Sequence, residues 1–213
     1  MPSKILVTGG LGYIGSHTSV ELIQQGHDIV IVDDLSNSSD DVLKGIKNIT
    51  GTAPEFLQFD LRNKEKVFEI FDLHPDIEGI IHFAASKAVG ESVSDPLSYY
   101  ENNLGSLIHL LQVVEKNKKT CSFIFSSSCT VYGQADNLPI GEEAPIKQAA
   151  SPYGNTKQVG ENILKDNTHS NPLLRVISLR YFNPIGSHPS NEIGELPKGK
   201  PQNLVPFITQ TGA

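Results

Sequence analysis

The sequence has little that could cross-link the chain, hold a metal or anchor it to a membrane. Only two cysteines occur, Cys121 and Cys129, with no Cys-x-x-Cys motif and no histidine at ligand spacing. That pattern excludes a disulfide framework and a zinc site, and no metal is expected. Basic residues are not in excess: the net charge is −7, and the densest Lys/Arg grouping is the short run Lys116, Lys118, Lys119. A nucleic-acid or anionic-membrane surface needs a basic stripe, so neither is an expected partner. No apolar run approaches the ~20 residues of a membrane-spanning helix. The opening stretch, Met1-Pro2-Ser3-Lys4-Ile5-Leu6-Val7-Thr8, has an apolar run too short for a secretory leader before the glycines begin. Together these absences read as a cytoplasmic protein.

What is present is ordinary globular material. The 213 residues are 38% hydrophobic and 19% charged, enough to build a core. At roughly 150 residues per domain, one domain and part of a second are allowed. Short apolar runs alternate with longer amphipathic stretches to about residue 180, the rhythm of repeated βα units. The expected fold is therefore α/β, a doubly wound parallel sheet of the Rossmann kind. Strands are expected over residues 4–7, 28–32, 55–58, 79–83, 122–126 and 175–179, and helices over 13–25, 41–48, 64–71, 97–117 and 153–167. Leu104, Leu107, Ile108, Leu111 and Val114 form one apolar stripe on the long helix. Phe68, Phe71 and Leu73 read as core at helical spacing. After Leu179 a succession of prolines and glycines, Pro184 to Pro206, breaks the rhythm. A dinucleotide-binding domain over 1–180 is expected, followed by the beginning of a smaller substrate-binding region over 181–213 whose remainder lies outside this sequence.

The first strand runs into Thr8-Gly9-Gly10-Leu11-Gly12-Tyr13-Ile14-Gly15. Glycines at these positions permit a tight turn and let backbone amides approach a pyrophosphate at the positive end of the next helix. Asp33 ends the second strand 18 residues after Gly15, close to the offset of about 20 at which a carboxylate meets the adenosine ribose. Such a carboxylate repels a 2′-phosphate, so NAD is expected rather than NADP.

Tyr153 and Lys157 stand four residues apart on an expected helix, sharing one face. A nearby ammonium favours the phenolate, and the Tyr153 pKa is expected to fall from near 10, so that the phenol can act as a base. The fifth strand ends in Ser126-Ser127-Ser128, at the carboxyl end of a parallel sheet where ligands bind. A hydroxyl there can hydrogen-bond a substrate oxygen whose charge changes in the reaction. His82, inside an apolar strand, reads as a structural hydrogen-bonder, His17 as a packing residue, and Cys129, without a basic neighbour, as inert.

These residues occur in a telling order. Gly9-Gly10-x-Gly12-Tyr13-Ile14-Gly15-Ser16-His17 is followed by Asp60-Leu61-Arg62, His82-Phe83-Ala84-Ala85 and Lys87-Ala88-Val89-Gly90-Glu91-Ser92. Then come Asn102-Asn103, Phe125-Ser126-Ser127-Ser128, Ser151-Pro152-Tyr153-Gly154 with Lys157, and Arg180-Tyr181-Phe182-Asn183-Pro184-x-Gly186. Along its whole length the chain resembles the UDP-glucose 4-epimerase family of extended short-chain dehydrogenases/reductases.

That resemblance implies NAD as a retained cofactor and UDP-galactose and UDP-glucose as substrates, interconverted through a 4-keto sugar. It implies Tyr153 as acid/base, Lys157 as its electrostatic partner and a ribose ligand, and Ser128 as the hydroxyl at the sugar 4-oxygen. Gly9, Gly12, Tyr13, Ile14, Gly15, Asp33, Asn37, Asp60, Leu61, Phe83, Ala84, Lys87, Asn102, Ser126 and Phe182 would complete the cofactor site. Lys87, Asn183 and Asn203 would contact the nucleotide sugar, and a homodimer would pair through the helices at Leu97 and Tyr153. Two positions depart from the common pattern, Ala85-Ser86 and Cys129, and both are expected to tune the pocket. A dehydratase or decarboxylase of the same family is the enzymatic alternative; dehydratases carry an Asp-Glu pair where this chain has Ser128-Cys129. A catalytically incompetent dinucleotide-binding fragment is the other.

Overall fold

The protein is represented by a computed structural model that describes residues 2–199, 201 and 203–211. Two compact units result, Met1–Ala84 with Asn183–Ala213, and Ala85–Phe182.

The first unit is built on four parallel strands: β1 (Lys4–Thr8), β2 (Asp28–Asp33), β3 (Glu55–Gln58) and β4 (Ile77–His82). They lie side by side in the order β3-β2-β1-β4. Because parallel strands are covered on both faces, their sequences are nearly continuous apolar runs rather than alternating ones. Accordingly β2 is buried from Ile29 to Asp33. Helices α1 (Tyr13–Gln24), α2 (Asp41–Thr50) and α3 (Lys64–Leu73) connect the strands. Val7, Leu11, Val20, Ile29, Ile31 and Ile46 form one core cluster, to which Ile193 is added from the loop-rich segment. Asn63 starts α3 by accepting a hydrogen bond from the Lys66 amide, and Gly51 in the left-handed region stops α2.

The second unit contains α4 (Val89–Ser94), α5 (Pro96–Asn117), the strand β5 (Cys121–Ser128), a 3₁₀ turn (Cys129–Tyr132), α6 (Pro152–Ser170) and β6 (Leu174–Tyr181). Strands β5 and β6 pair in parallel from Cys121 opposite Leu174 to Ser128 opposite Tyr181. Both long helices begin on the same device, a side-chain cap followed by proline. Asp95 accepts from the Ser98 amide ahead of Pro96, and Ser151 accepts from the Gly154 amide ahead of Pro152.

Several sequence expectations need correction. Leu73 is 69% exposed; the inner face of α3 is Val67, Ile70 and Phe71, Phe68 is only partly buried, and Leu73 is the last residue of the helix, where its side chain runs out beyond the core. The apolar stripe of α5 runs through Leu107, Leu110, Leu111, Val113 and Val114, leaving Leu104 partly exposed and Ile108 on the solvent side. Two helices lie where none was expected, α4 and, in the Pro/Gly-rich segment, α7 (Leu204–Thr211). Of the stretch 181–213, residues 200, 202, 212 and 213 lie outside the described set, as does Met1. Among the described residues no helix is long and apolar enough to cross a membrane.

Candidate active site

In the first unit the turn after β1 is packed backbone against backbone. Gly9, at φ +67°, donates from its amide to the Val32 carbonyl at 2.7 Å, and a Cβ there would stand 2.6 Å from the Ala84 nitrogen. A Cβ on Gly15 would stand 2.2 Å from the Gly9 oxygen. Gly12 caps α1 without any side chain to satisfy the first-turn amides, and no acidic residue lies in that turn. The first turn of any helix leaves amides without intrahelical partners. Here they face an uncapped positive end, the donor set that an anionic diphosphate requires.

Asp33 is buried at the end of β2. Its Oδ2 accepts from the Leu11 amide at 3.1 Å, and its Oδ1 accepts from the Leu35 amide at 3.0 Å and the Ser38 hydroxyl at 2.6 Å. An ionised carboxylate offers about four acceptor positions, so one remains for a ribose hydroxyl. Asn37 is exposed nearby in sequence, and Leu61 is buried. Asp60 is bonded by the Arg62 guanidinium at 2.8 and 2.6 Å, which holds its carboxyl below the usual range. Phe83 and Ala84 leave β4 with both amides directed at the Thr8 carbonyl. His82 is buried against the Thr8 hydroxyl at 2.7 Å, the structural role expected of it. His17 packs edge-on to the Tyr13 ring. Tyr13 in turn donates to the Gly186 carbonyl at 2.6 Å, just beyond the exposed Asn183. Asn203 donates to Glu195.

The second unit brings Tyr153, Lys157 and Ser128 together. Tyr153 and Lys157 lie on α6, with the Lys157 ammonium 5.7 Å from the Tyr153 ring centroid. That ammonium donates to the Ser126 carbonyl at 2.8 Å and sits 5.0 Å over the Phe125 ring. Burial disfavours its charge and pushes the lysine down to about 8. The Tyr153 phenol moves the other way. Burial raises it, the Ser128 hydroxyl pulls it back by hydrogen bonding, and the Cys129 thiol raises it further. The lowered phenol expected from the Lys157 charge is therefore not found: burial is the largest influence on the phenol, and the ammonium is turned to the Ser126 carbonyl. The hydroxyl of Ser128 also accepts from the Thr130 amide and so caps the 3₁₀ turn. Phe182 is exposed beyond β6, and Lys87 is exposed on the segment before α4. Asn102 donates to Ser86 at 3.0 Å.

Two groups were given no role in the sequence reading. One is Asn103, buried beneath that segment; its signal was a polar residue one turn from Leu107 on the inner face of a helix. The other is the Glu161–Arg180 pair. Arg180 donates to Glu161 at 3.0 and 2.7 Å and to the Tyr132 hydroxyl at 3.0 Å, and Ser127 donates to the same carboxylate at 2.5 Å. This pair fastens α6 to the ends of β5 and β6. Among the described residues no cluster of three metal-binding side chains occurs.

Residues 5–206 match the NAD dependent epimerase/dehydratase family. A UDP-glucose 4-epimerase of Dictyostelium discoideum is 50% identical over 208 residues, covering 98% of this chain and 60% of the relative. The structure of the Bifidobacterium longum UDP-glucose 4-epimerase in complex with NAD+ and UDP superimposes with a TM-score of 0.94 at 43% identity, over 98% of this chain and 62% of that one. The Stenotrophomonas maltophila enzyme, with bound NAD and formylated UDP-arabinopyranose, gives 0.92 at 48% identity over 98% and 61%. The fold class expected from the sequence agrees with these structures. The chain spans about 60% of the length of the UDP-glucose 4-epimerases it matches.

Proposed function

The chain belongs to the NAD dependent epimerase/dehydratase family, and from that membership we propose that it carries the NAD-binding and acid/base parts of a UDP-glucose 4-epimerase. The reaction is inversion at sugar C4, interconverting UDP-galactose and UDP-glucose with no net redox change. One observation carries the choice of chemistry: Tyr153, Lys157 and Ser128 share one unit, with the Lys157 ammonium 5.7 Å from the Tyr153 ring centroid and the Ser128 hydroxyl drawing the phenol pKa down against burial. Position 129, where a dehydratase needs a carboxyl acid, holds a cysteine that opens the 3₁₀ turn.

The residues of the first unit fit NAD. An uncapped helix start lined by glycines accepts a diphosphate, and Asp33 keeps one acceptor position for the adenosine ribose and repels a 2′-phosphate. Asn37, Asp60 and Leu61 would hold the adenosine, and Phe83, Ala84 and Asn102 would line the cleft. When bound, NAD supplies a reversible hydride acceptor at the sugar carbon. Tyr153 takes the proton of the 4-hydroxyl as the alcohol is oxidised and returns it when the ketone is reduced. Ser128 hydrogen-bonds the same oxygen, Lys157 supplies positive charge beside the phenol, and Lys87, Asn183 and Asn203 would hold the UDP portion. The same reading makes the protein a cytoplasmic homodimer of galactose metabolism, paired through α5 and α6; the exposed Leu97 and Ile108 of α5 support that choice.

The test is Tyr153→Phe in the full-length protein. Galactose/glucose interconversion is expected to be lost while NAD still co-purifies and is released by acid. Turnover near the wild-type rate would overturn the assignment.

A further inference from the structure

The segment 85–88 between β4 and α4 has no regular structure, so its amides need partners from elsewhere. Two buried side chains of α5, one turn apart, provide them. The Tyr99 hydroxyl accepts from the Ala88 amide at 3.1 Å and donates to Glu91 at 2.7 Å. Asn103 Oδ1 accepts from the Ser86 amide at 2.9 Å, and its Nδ2 donates to the Ser86 carbonyl at 3.0 Å and to the Thr156 hydroxyl at 3.0 Å. The orientation of this carboxamide is dictated by its surroundings, because a backbone amide can only donate and must therefore face the oxygen. Thr156 accepts on its hydroxyl oxygen and so directs its own proton to the Tyr153 carbonyl at 2.7 Å. One side chain thus bonds both backbone groups of the residue before Lys87 and, through one hydroxyl, the backbone of Tyr153.

Asn103 is 5% exposed and Thr156 1% exposed, so the bond between them is buried and those to Ser86 and Tyr153 are partly shielded from competing water. A buried donor or acceptor that loses its partner is costly, which favours this arrangement over any that breaks the Asn103–Thr156 bond. Thr156 is also the residue immediately before Lys157, and its bond to the Tyr153 carbonyl ties the first turn of α6, which carries Tyr153, to the next, which carries Lys157.

We propose that Asn103 and Thr156 are positioning residues that tie the Lys87-bearing segment to the helix start carrying Tyr153, setting the phenol for proton transfer. The proposal rests on the epimerase reading of Tyr153. Neither residue touches substrate; each acts through the groups it holds. Thr156 is the sharper probe because valine preserves its shape and removes only the hydroxyl.

In the full-length protein, Thr156→Val is expected to lower kcat for UDP-galactose about tenfold to a hundredfold, the cost of a misplaced reacting group, with KM for the sugar nucleotide within about twofold. Thr156→Ser, which keeps the hydroxyl, is expected to restore kcat to within about twofold of wild type. Asn103→Leu should lower kcat and raise KM together, because the Lys87 segment is released as well, and combining it with Thr156→Val should add little further loss of kcat. A Thr156→Val enzyme with kcat within twofold of wild type, or a Thr156→Ser enzyme as impaired as the valine variant, would overturn the positioning role. The underlying reading fails separately, if the wild-type protein does not interconvert the two sugars. In that event dinucleotide affinity is the readout: Asn103→Leu is expected to weaken NAD binding at least fivefold while Thr156→Val leaves it unchanged, and equal affinity in both variants would overturn the proposal.

Discussion

Two glycine-to-alanine substitutions, both inside helices, should move stability in opposite directions, and the difference is set by what a methyl group would meet. Gly105 lies in α5 with nothing within 4 Å of a Cβ, so alanine there gains only the helical preference of about 1 kcal/mol. For a chain of this size that raises the Tm by about 2–4 °C. Gly15 lies in α1, where the same Cβ would stand 2.2 Å from the Gly9 oxygen, 2.8 Å from the Gly10 Cα and 3.0 Å from the Gly9 carbonyl carbon. All three are backbone atoms of the turn. Relief means moving that turn by about 1 Å, given that non-bonded carbon contacts sit near 3.5–4.0 Å. The Gly9 carbonyl also accepts from the Gly12 amide at 3.1 Å, so movement puts that turn hydrogen bond at risk, worth about 1 kcal/mol. Overpacking typically costs about 1–3 kcal/mol, and with the lost bond it exceeds the helical gain; Gly15→Ala should destabilise by about 2 kcal/mol. Urea denaturation of the two variants, with equal slopes, measures both numbers. NAD affinity should fall in Gly15→Ala and stay unchanged in Gly105→Ala. If Gly15→Ala were as stable as wild type to within about 0.5 kcal/mol, the account of the turn as a backbone-packed cradle would be wrong.

Other perturbations follow from the same geometry. Asp33→Asn turns one acceptor oxygen into a donor facing the Leu11 or the Leu35 and Ser38 donors, so a loss of about 2 kcal/mol in urea titrations is expected, together with weaker NAD binding and reduced discrimination against NADP. Arg180→Met leaves Glu161 with only Ser127 as a charge-stabilising neighbour, and the partly exposed pair (25% and 13% side-chain exposure) makes about 2 kcal/mol a fair expectation. The double variant Arg180→Met, Glu161→Leu should regain part of that loss, and strict additivity of the two single changes would show that the pair is not coupled.

How much of this was legible in the sequence depends on whether a feature repeats or stands alone. The βα alternation located all six strands: β1, β2 and β4 are nearly continuous apolar runs buried on both faces, and β3, β5 and β6, with more exposed residues, were placed by the spacing of the helices between them. The 3.6-residue period placed the long helices, but it erred on which side residues fall when a helix is apolar over more than one stripe. Ile108 and Leu110 are both apolar, and only the neighbouring elements decide that Leu110 goes inside. Short helices such as α4, with no sustained period, gave no signal. In the candidate site, Tyr153 with Lys157 and the glycine turn could be read from the sequence because they have fixed local spacing. Asn103 was not, because its partners Ser86 and Thr156 are 17 and 53 residues away. Only a tertiary fold makes it the center of a network.

The electrostatics of Tyr153 and Lys157 were the point where local reasoning failed, and burial explains why. Desolvation acts against the charged form of each group, so it raises a phenol and lowers an ammonium. Lys157, at about 8 in the folded chain, remains mostly protonated at pH 7 and loses its charge as the pH passes through 8. If that charge supports the phenolate, activity should fall on an alkaline limb near pH 8. Lys157→Arg, whose guanidinium stays charged, should shift that limb upward even where the maximal rate is reduced. The same shift fixes the sign of a stability effect. The unfolded lysine titrates at the model-peptide value of about 10.4, so between pH 8 and that value the unfolded chain binds more protons than the folded one. Stability must then rise with pH across that window. Below pH 8 the folded chain bears the full cost of a buried ammonium, about 3 kcal/mol, and above about pH 10.4 it bears none. Lys157→Met should remove this slope and, at pH 7, leave the protein at least as stable as wild type despite the lost bond to Ser126. A Lys157→Met chain that is markedly less stable at pH 7, with the alkaline rise intact, would mean that the ammonium is not the buried charge described here.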